Sequence, residues 1–367
     1  MKRVAAGPLA GLLVGLLVGA GLGGCAAPPP VQQLEQSWPA SLPPRVELDR
    51  VPFFAQEDHE CGPAALAMLL QAGGVAATPG QLLPEVYLPG RQGALQQELL
   101  IDARRHGLPA YVLAPTLPDL LAEVAAGHPV LVFMNLSLPI YPVWHYAVAI
   151  GYDRERASLL LRSGRTERLE MSLGTFERTW ARGGHWAMVA LPTNELPATA
   201  QAGPFAAAVV ALERLDARAA RAAYATALQR WAAEPALLLG AGNAAYALGD
   251  RAGAAAAYRH AGAVRPDLAD AWNNLAQVLM ESGAPRAEAL RAAEQAVALG
   301  GPRVALYREL AATLRAAPGA RGDGRAAAAA CKPAVSVAGA AASTPAERNP
   351  LSDAPGPLAD LVAEPRQ

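Results

Sequence analysis

The chain has 367 residues, of which 31 are Lys or Arg and 32 are Asp or Glu, a formal net charge of -1. That balance creates no field for gathering nucleic acid or an acidic substrate, and no basic patch interrupts it. Its three cysteines, Cys25, Cys61 and Cys331, are too few and too scattered for a disulfide framework, while the length suits two domains of ordinary size.

Lys2 and Arg3 precede an uncharged run, Leu9 to Leu22, in the layout of a signal peptide. The run is short for crossing a bilayer. It ends in Leu22-Gly23-Gly24-Cys25, which resembles the lipobox of bacterial lipoproteins. The resemblance implies that Cys25 becomes the N-terminus and carries several acyl chains, which hold a protein stably where one would not. Ala26 stands where an inner-membrane retention signal places Asp, so the resemblance implies the outer membrane, with the body facing the periplasm. The anchor would be the chain's contact with lipid. Residues 26–45 are rich in Pro and Gln and read as a linker that lets the domain stand clear of the membrane.

Residues 46–192 carry a mixed pattern that predicts an α+β domain. Helices are expected over Pro63 to Ala72, Gly93 to His106 and Leu117 to Ala126, and strands over Pro129 to Leu136, Trp144 to Tyr152, Ala157 to Ser163 and Trp186 to Leu191. The strongest local signal is Gln56-Glu57-Asp58-His59-Glu60-Cys61-Gly62-Pro63-Ala64-Ala65-Leu66. Pro63 suits the first turn of a helix, where its missing N–H costs nothing. Cys61 therefore starts a helix. Free backbone N–H groups and the helix dipole there favour a thiolate, which predicts a depressed pKa and a nucleophilic sulfur. Its partner is expected in Trp144-His145-Tyr146-Ala147-Val148-Ala149-Ile150-Gly151-Tyr152-Asp153, where His145 opens a buried strand.

A Cys-Gly-Pro-Ala helix start followed downstream by a His-Tyr-apolar-Gly-Tyr-Asp strand resembles the bacteriocin-processing, double-glycine-type cysteine peptidases of the papain-like group. The resemblance spans roughly Val51 to Leu191. It implies that Cys61 is the nucleophile and His145 the general base, and that Gln56 helps stabilise the oxyanion beside the Cys61 N–H. Gln56 lies five residues before Cys61, one fewer than the family places it. The family's third member, an Asp or Asn that orients the imidazole, falls on Ser163 of Ser163-Gly164. With a hairpin tip near Arg154, Ser163 is expected directly opposite His145. A hydroxyl carries no charge and stabilises an imidazolium less than a carboxylate does. Asp153, at the strand end, reads as a turn residue. His59 is badly placed to act as base, and His185 follows a Gly pair into the last strand.

No Cys or His pair stands at metal-ligand spacing and no phosphate loop is present, so neither a metal nor another cofactor is expected. From 203 to 316 the chain is Ala-rich and repeats every 34 residues: Leu238 maps onto Trp272, Gly249 onto Gly283, Tyr224 onto Tyr258. Trp272-Asn273-Asn274-Leu275-Ala276 resembles the start of a tetratricopeptide repeat, implying an all-α tetratricopeptide-repeat solenoid with a concave face for a protein or peptide partner. The first unit reads as a degenerate cap with a longer second helix. Residues 318–367 read as a disordered tail.

The composite expectation is a papain-like cysteine peptidase domain acting on a peptide or protein substrate, followed by helical repeats. Two other readings use the same residues. One is a weak or inactive peptidase-fold scaffold that works through its repeats, and the other an amidase or acyltransferase on cell-wall peptides.

Overall fold

The computed structural model describes residues 26–56 and 60–316; Cys25 with its lipobox, the residues 57–59, Cys331 and the tail lie outside the described residues. In chain order the elements are α1 (Pro29–Gln36), β1 (Arg45–Glu47), α2 (Cys61–Ala72), α3 (Pro79–Val86), β2 (Tyr87–Leu88), β3 (Gly93–Ala94), α4 (Gln96–Arg105), β4 (Ala110–Val112) and α5 (Leu117–Ala125). There follow β5 (Val130–Asn135), β6 (Trp144–Asp153), β7 (Ser158–Ser163), β8 (Thr166–Ser172), α6 (Leu173–Arg182) and β9 (Ala187–Ala190). Seven strands form one sheet in the order β4-β9-β5-β6-β7-β8, and β1 pairs with β6. Where registers are defined they are antiparallel, as expected for an α+β domain.

By contact the described residues divide into two compact units, one formed by residues up to Leu69 with Val112–Met188, the other by Leu70–Tyr111 with residues from Val189 onward. In the first unit β5, β6 and β7 are buried almost throughout. That explains their continuous apolar runs. β8 reads Thr-Glu-Arg-Leu-Glu-Met-Ser on the sheet's edge, mostly exposed, so apolar content could not reveal it. The helix α6 was also missed. Its N-cap Ser172 accepts from the Thr175 N–H at 3.2 Å, and Leu173, Phe176 and Trp180 make one buried stripe.

The expected linker is folded over much of its length. Prolines at the start of α1 occupy positions whose missing N–H groups need no partner, and Val31 and Leu34, three residues apart, are buried. α1 packs on α5 and α6. The Arg178 guanidinium ties down the chain before it, donating to the Ala26 carbonyl at 2.6 Å. Two apolar residues at helical spacing were enough to dock a segment whose composition suggests a free tether.

In the second unit the chain after β9 forms seven helices: α7 (Ala202–Glu213), α8 (Ala217–Arg230), α9 (Pro235–Ala247), α10 (Arg251–Val264), α11 (Ala269–Glu281), α12 (Arg286–Leu299) and α13 (Val304–Ala316). α8 and α10 begin 34 residues apart, as do α9 and α11. Gly249 and Gly283, at that same interval, sit just past the ends of α9 and α11 with φ of 80° and 68°, the left-handed stop that a side chain disfavours. The second helix of the first pair is not longer than its counterparts: α8, α10 and α12 have 14 residues each.

At the end of α7, Glu213 accepts a hydrogen bond from the Tyr224 hydroxyl. Burial pushes its carboxyl from 4.5 up to about 7. Between those values the folded chain holds a proton that the unfolded chain releases, so stability falls as pH rises from 4.5 to 7 and stays lowered above it. Glu213→Gln keeps an acceptor for Tyr224 and removes the ionised form. Thermal unfolding should show the variant more stable by about 3 kcal/mol at pH 8 and equal to wild type at pH 4. A constant difference across that range would contradict this.

Candidate active site

Cys61 is the first residue of α2, and the Ala64 N–H closes the first turn on the Glu60 carbonyl at 3.1 Å. Pro63 and the buried run Ala64 to Leu70 set the helix against the interior, leaving Cys61 partly exposed as a free thiol. Backbone hydrogen bonds from Tyr146, Gly62 and its own N–H favour the charged sulfur. Burial is the larger effect, and it pushes the thiol above its ordinary value. The depressed thiol expected from the helix start is therefore corrected: desolvation outweighs the helix N-terminus here.

β6 carries His145 because alternation along a strand sends neighbouring side chains to opposite faces. Trp144 and Tyr146 both meet Phe133, with ring centroids 5.1 Å and 4.8 Å away, so the residues flanking His145 are clamped. His145 lies across from Met134 on β5. Its Nε2 stands 2.9 Å from Ser163 Oγ, which leaves Nδ1 as the other ring nitrogen. Burial holds the imidazole down at about 4. The resting pair is thus a neutral thiol and a neutral imidazole. The Tyr146 backbone N–H that reaches the Cys61 sulfur belongs to the residue next to His145, which brings the helix start and the strand together.

Ser163 reaches His145 by a route other than the one expected. The turn spans Arg154 to Ala157, whose N–H and carbonyl meet at 3.1 Å. Asp153 pairs with Ser158 and Val148 with Arg162, with a register shift between Ala149 and Gly151. Continuing the ladder from Val148 and Arg162 sets Ser163 opposite Ala147, two residues short of the position facing His145, and the contact is diagonal, within reach on one face of a twisted sheet. The extra turn residues and the bulge account for the difference.

Gln56 is placed by the segment that runs along β6 and β7. Leu48 N–H donates to the Ile150 carbonyl at 2.7 Å, and buried Arg162 donates to the Val51 carbonyl at 2.9 Å. The Gln56 N–H then donates to the Gly164 carbonyl at 3.1 Å, one residue past Ser163. Gly151 is required on this path, since a Cβ would come within 2.5 Å of the Val46 carbonyl oxygen. The Gln56 side chain is buried, and among the described residues its Nε2 has no hydrogen-bond partner. A buried donor left unmet costs free energy.

Cys61, His145, Ser163 and Gln56 are thus linked through short contacts of side chain and adjoining backbone. Residues 48–188 match the Peptidase_C39 like family. All four residues fall within this C39-like domain, and the helices from α7 onward lie beyond the match. A solved structure described as a C39-like peptidase from Bacillus anthracis is similar at 21% identity, covering 40% of this chain and 97% of its own, with a TM-score of 0.33. No curated protein matches the chain.

Asp153 and His185 are placed elsewhere in the C39-like domain. Asp153 accepts from the Arg156 N–H at 3.1 Å in the β6–β7 turn, eight residues along the strand from His145, or about 26 Å. His185 pairs with Glu177 at 2.8 Å. His59 lies outside the described residues. Among the described residues no group of three or more His, Cys, Asp or Glu gathers as a metal site, and no helix is long and apolar enough to cross a membrane.

Proposed function

We propose that the C39-like domain is a cysteine peptidase in which Cys61 attacks a peptide carbonyl and His145 transfers the proton. The observation that carries this reading is the unpartnered, buried Gln56 Nε2 beside a joined Cys61, His145 and Ser163 cluster. A buried donor with no acceptor among the described residues suits an oxygen that becomes negative only during reaction.

With Ser163 accepting from Nε2–H, the Nδ1 lone pair takes the Cys61 proton as sulfur bonds to the carbonyl carbon. The carbonyl oxygen becomes an oxyanion, met by Gln56 Nε2 and the Cys61 N–H. Collapse breaks the C–N bond, and the imidazolium gives its proton to the departing amine. Water, deprotonated by His145, then attacks the thioester and releases the acid and the Cys61 thiol. Because both partners rest neutral, proton transfer accompanies attack rather than preceding it.

The same neutral pair favours a second reading, a domain with little turnover that acts through its helical repeats. Digestion of a peptide library, read by mass spectrometry for wild type beside Cys61→Ala, separates the two. Fragments made by wild type and lost in the variant support the peptidase. Identical digests would leave the scaffold.

We propose further that the 34-residue helical pairs are tetratricopeptide repeats binding a protein or peptide, and that Cys25 is lipidated on the periplasmic side of the outer membrane. Their support is the sequence pattern together with the helix spacing.

A further inference from the structure

Among the described residues eleven large apolar side chains are exposed, and five of them fall within eight consecutive positions: Leu136, Leu138, Ile140, Tyr141 and Val143. They lie 43% to 76% exposed in the loop between β5 and β6. Such a cluster, with no charged residue among positions 136–143, is the kind of surface that marks a binding face.

The loop is rigidly built. The Leu136 N–H donates to the Val143 carbonyl at 2.9 Å, and the Tyr141 N–H closes a turn on the Leu138 carbonyl at 3.1 Å with Pro139 at its second position. Asn135 Oδ1 accepts from the Ser137 and Val143 N–H groups, each at 3.0 Å, and Arg182 donates to the Asn135 carbonyl. A turn held at its base and stiffened by proline presents Leu138, Ile140 and Tyr141 with little conformational entropy left to lose on binding.

Its position names the occupant. The loop runs into Trp144 and then His145, and the cross-strand pair Asn135 with Trp144 lies one step from Met134 with His145. Tyr141 is four residues from His145, about 13 Å along an extended chain. A peptide lying across Cys61 and His145 reaches this turn within about four residues of the bond being cut.

We infer that the 136–143 turn is the specificity surface of this site and that its substrates are peptides with large apolar side chains within about four residues of the scissile bond, on one side. This rests on the peptidase reading above.

The test compares pairs of synthetic fluorescent peptides of one sequence, the members of each pair carrying either Leu or Ser at one of the four positions on each side of the central bond, and every pair is assayed. In at least one pair wild type is expected to cleave the apolar peptide with a kcat/KM at least about tenfold higher, in the range one apolar pocket contact supplies. The triple variant L138S/I140S/Y141S should reduce that ratio to about twofold or less through a higher KM, with an unchanged thermal midpoint because these side chains are exposed. Binding of both peptides of each pair to Cys61→Ala, read by anisotropy, tests the surface without turnover. The apolar peptide of that pair should bind about tenfold tighter, and adding the triple substitution should remove the difference.

If wild type cleaves nothing while this binding difference holds, the peptidase reading fails and the surface stands. Equal affinities for the two peptides of every pair would overturn the surface. So would a variant that keeps its peptide preference but loses sedimentation with phosphatidylethanolamine–phosphatidylglycerol vesicles, since the turn would then be a membrane contact.

Discussion

Ser163→Asp should raise kcat/KM on a cleaved peptide by about tenfold or more and shift the ionisation of Cys61 downward. The hydroxyl of Ser163 meets His145 Nε2 at 2.9 Å, and among the described residues no carboxylate contributes to the imidazole, which burial holds at about 4. A carboxylate in the same place would form a charge-assisted hydrogen bond, roughly twice as strong as a neutral one. It would favour imidazolium and so favour thiolate beside it. The alkylation rate of Cys61 as a function of pH reads this directly. Wild type should show its inflection above 9, since burial raises the thiol from that value, and the variant should show it lower. Ser163 is buried, so the new carboxylate also costs stability wherever the imidazole is neutral. An unchanged alkylation profile would mean that Ser163 does not govern the imidazole.

The second large effect is a separation of activity from stability at Gln56. Removing one oxyanion donor costs on the order of 100-fold to 1,000-fold in kcat, and Gln56→Leu should fall in that range. Loss of a hydrogen-bonded buried side chain normally also weakens the fold. Here Nε2 has no partner to lose among the described residues, and replacing an unmet donor by an apolar group of similar size relieves a desolvation cost of about 1–3 kcal/mol. Thermal unfolding of Gln56→Leu should therefore match or exceed wild type while peptide hydrolysis collapses. Hydrolysis within threefold of wild type, or a clear drop in thermal midpoint, would place Gln56 in a structural position instead.

The candidate site was legible to the extent that its determinants are local. Pro63 and the apolar run after it are sufficient to start a helix at Cys61, and the seven consecutive buried positions from Tyr146 to Tyr152 announce a central strand behind His145. Ser163 is singled out by the family resemblance, and the hairpin that would set it directly opposite His145 turns at Arg154 to Ala157 instead of about Arg154. Turn length and the shift between Ala149 and Gly151 depend on how β1, β6 and β7 meet, which no single segment encodes. α1 and β8 were illegible for a related reason. One hides its two buried residues among Pro and Gln, and the other is an edge strand whose exposed residues carry no apolar signal.

The electrostatics lay furthest from the sequence. A helix start predicts a depressed thiol, and the folded chain raises it, because burial depends on every element packed around the sulfur while the dipole acts within one turn. The amino-acid sequence by itself determined the helix that Cys61 starts, the strand that carries His145 and the 34-residue period of the helices, all set by residues near one another in the chain. Only the tertiary structure decided that α1 is docked, that Ser163 reaches His145 diagonally, that Gln56 Nε2 is buried with no partner among the described residues and that Cys61 and His145 both rest neutral, since each depends on distant segments removing water from the same place.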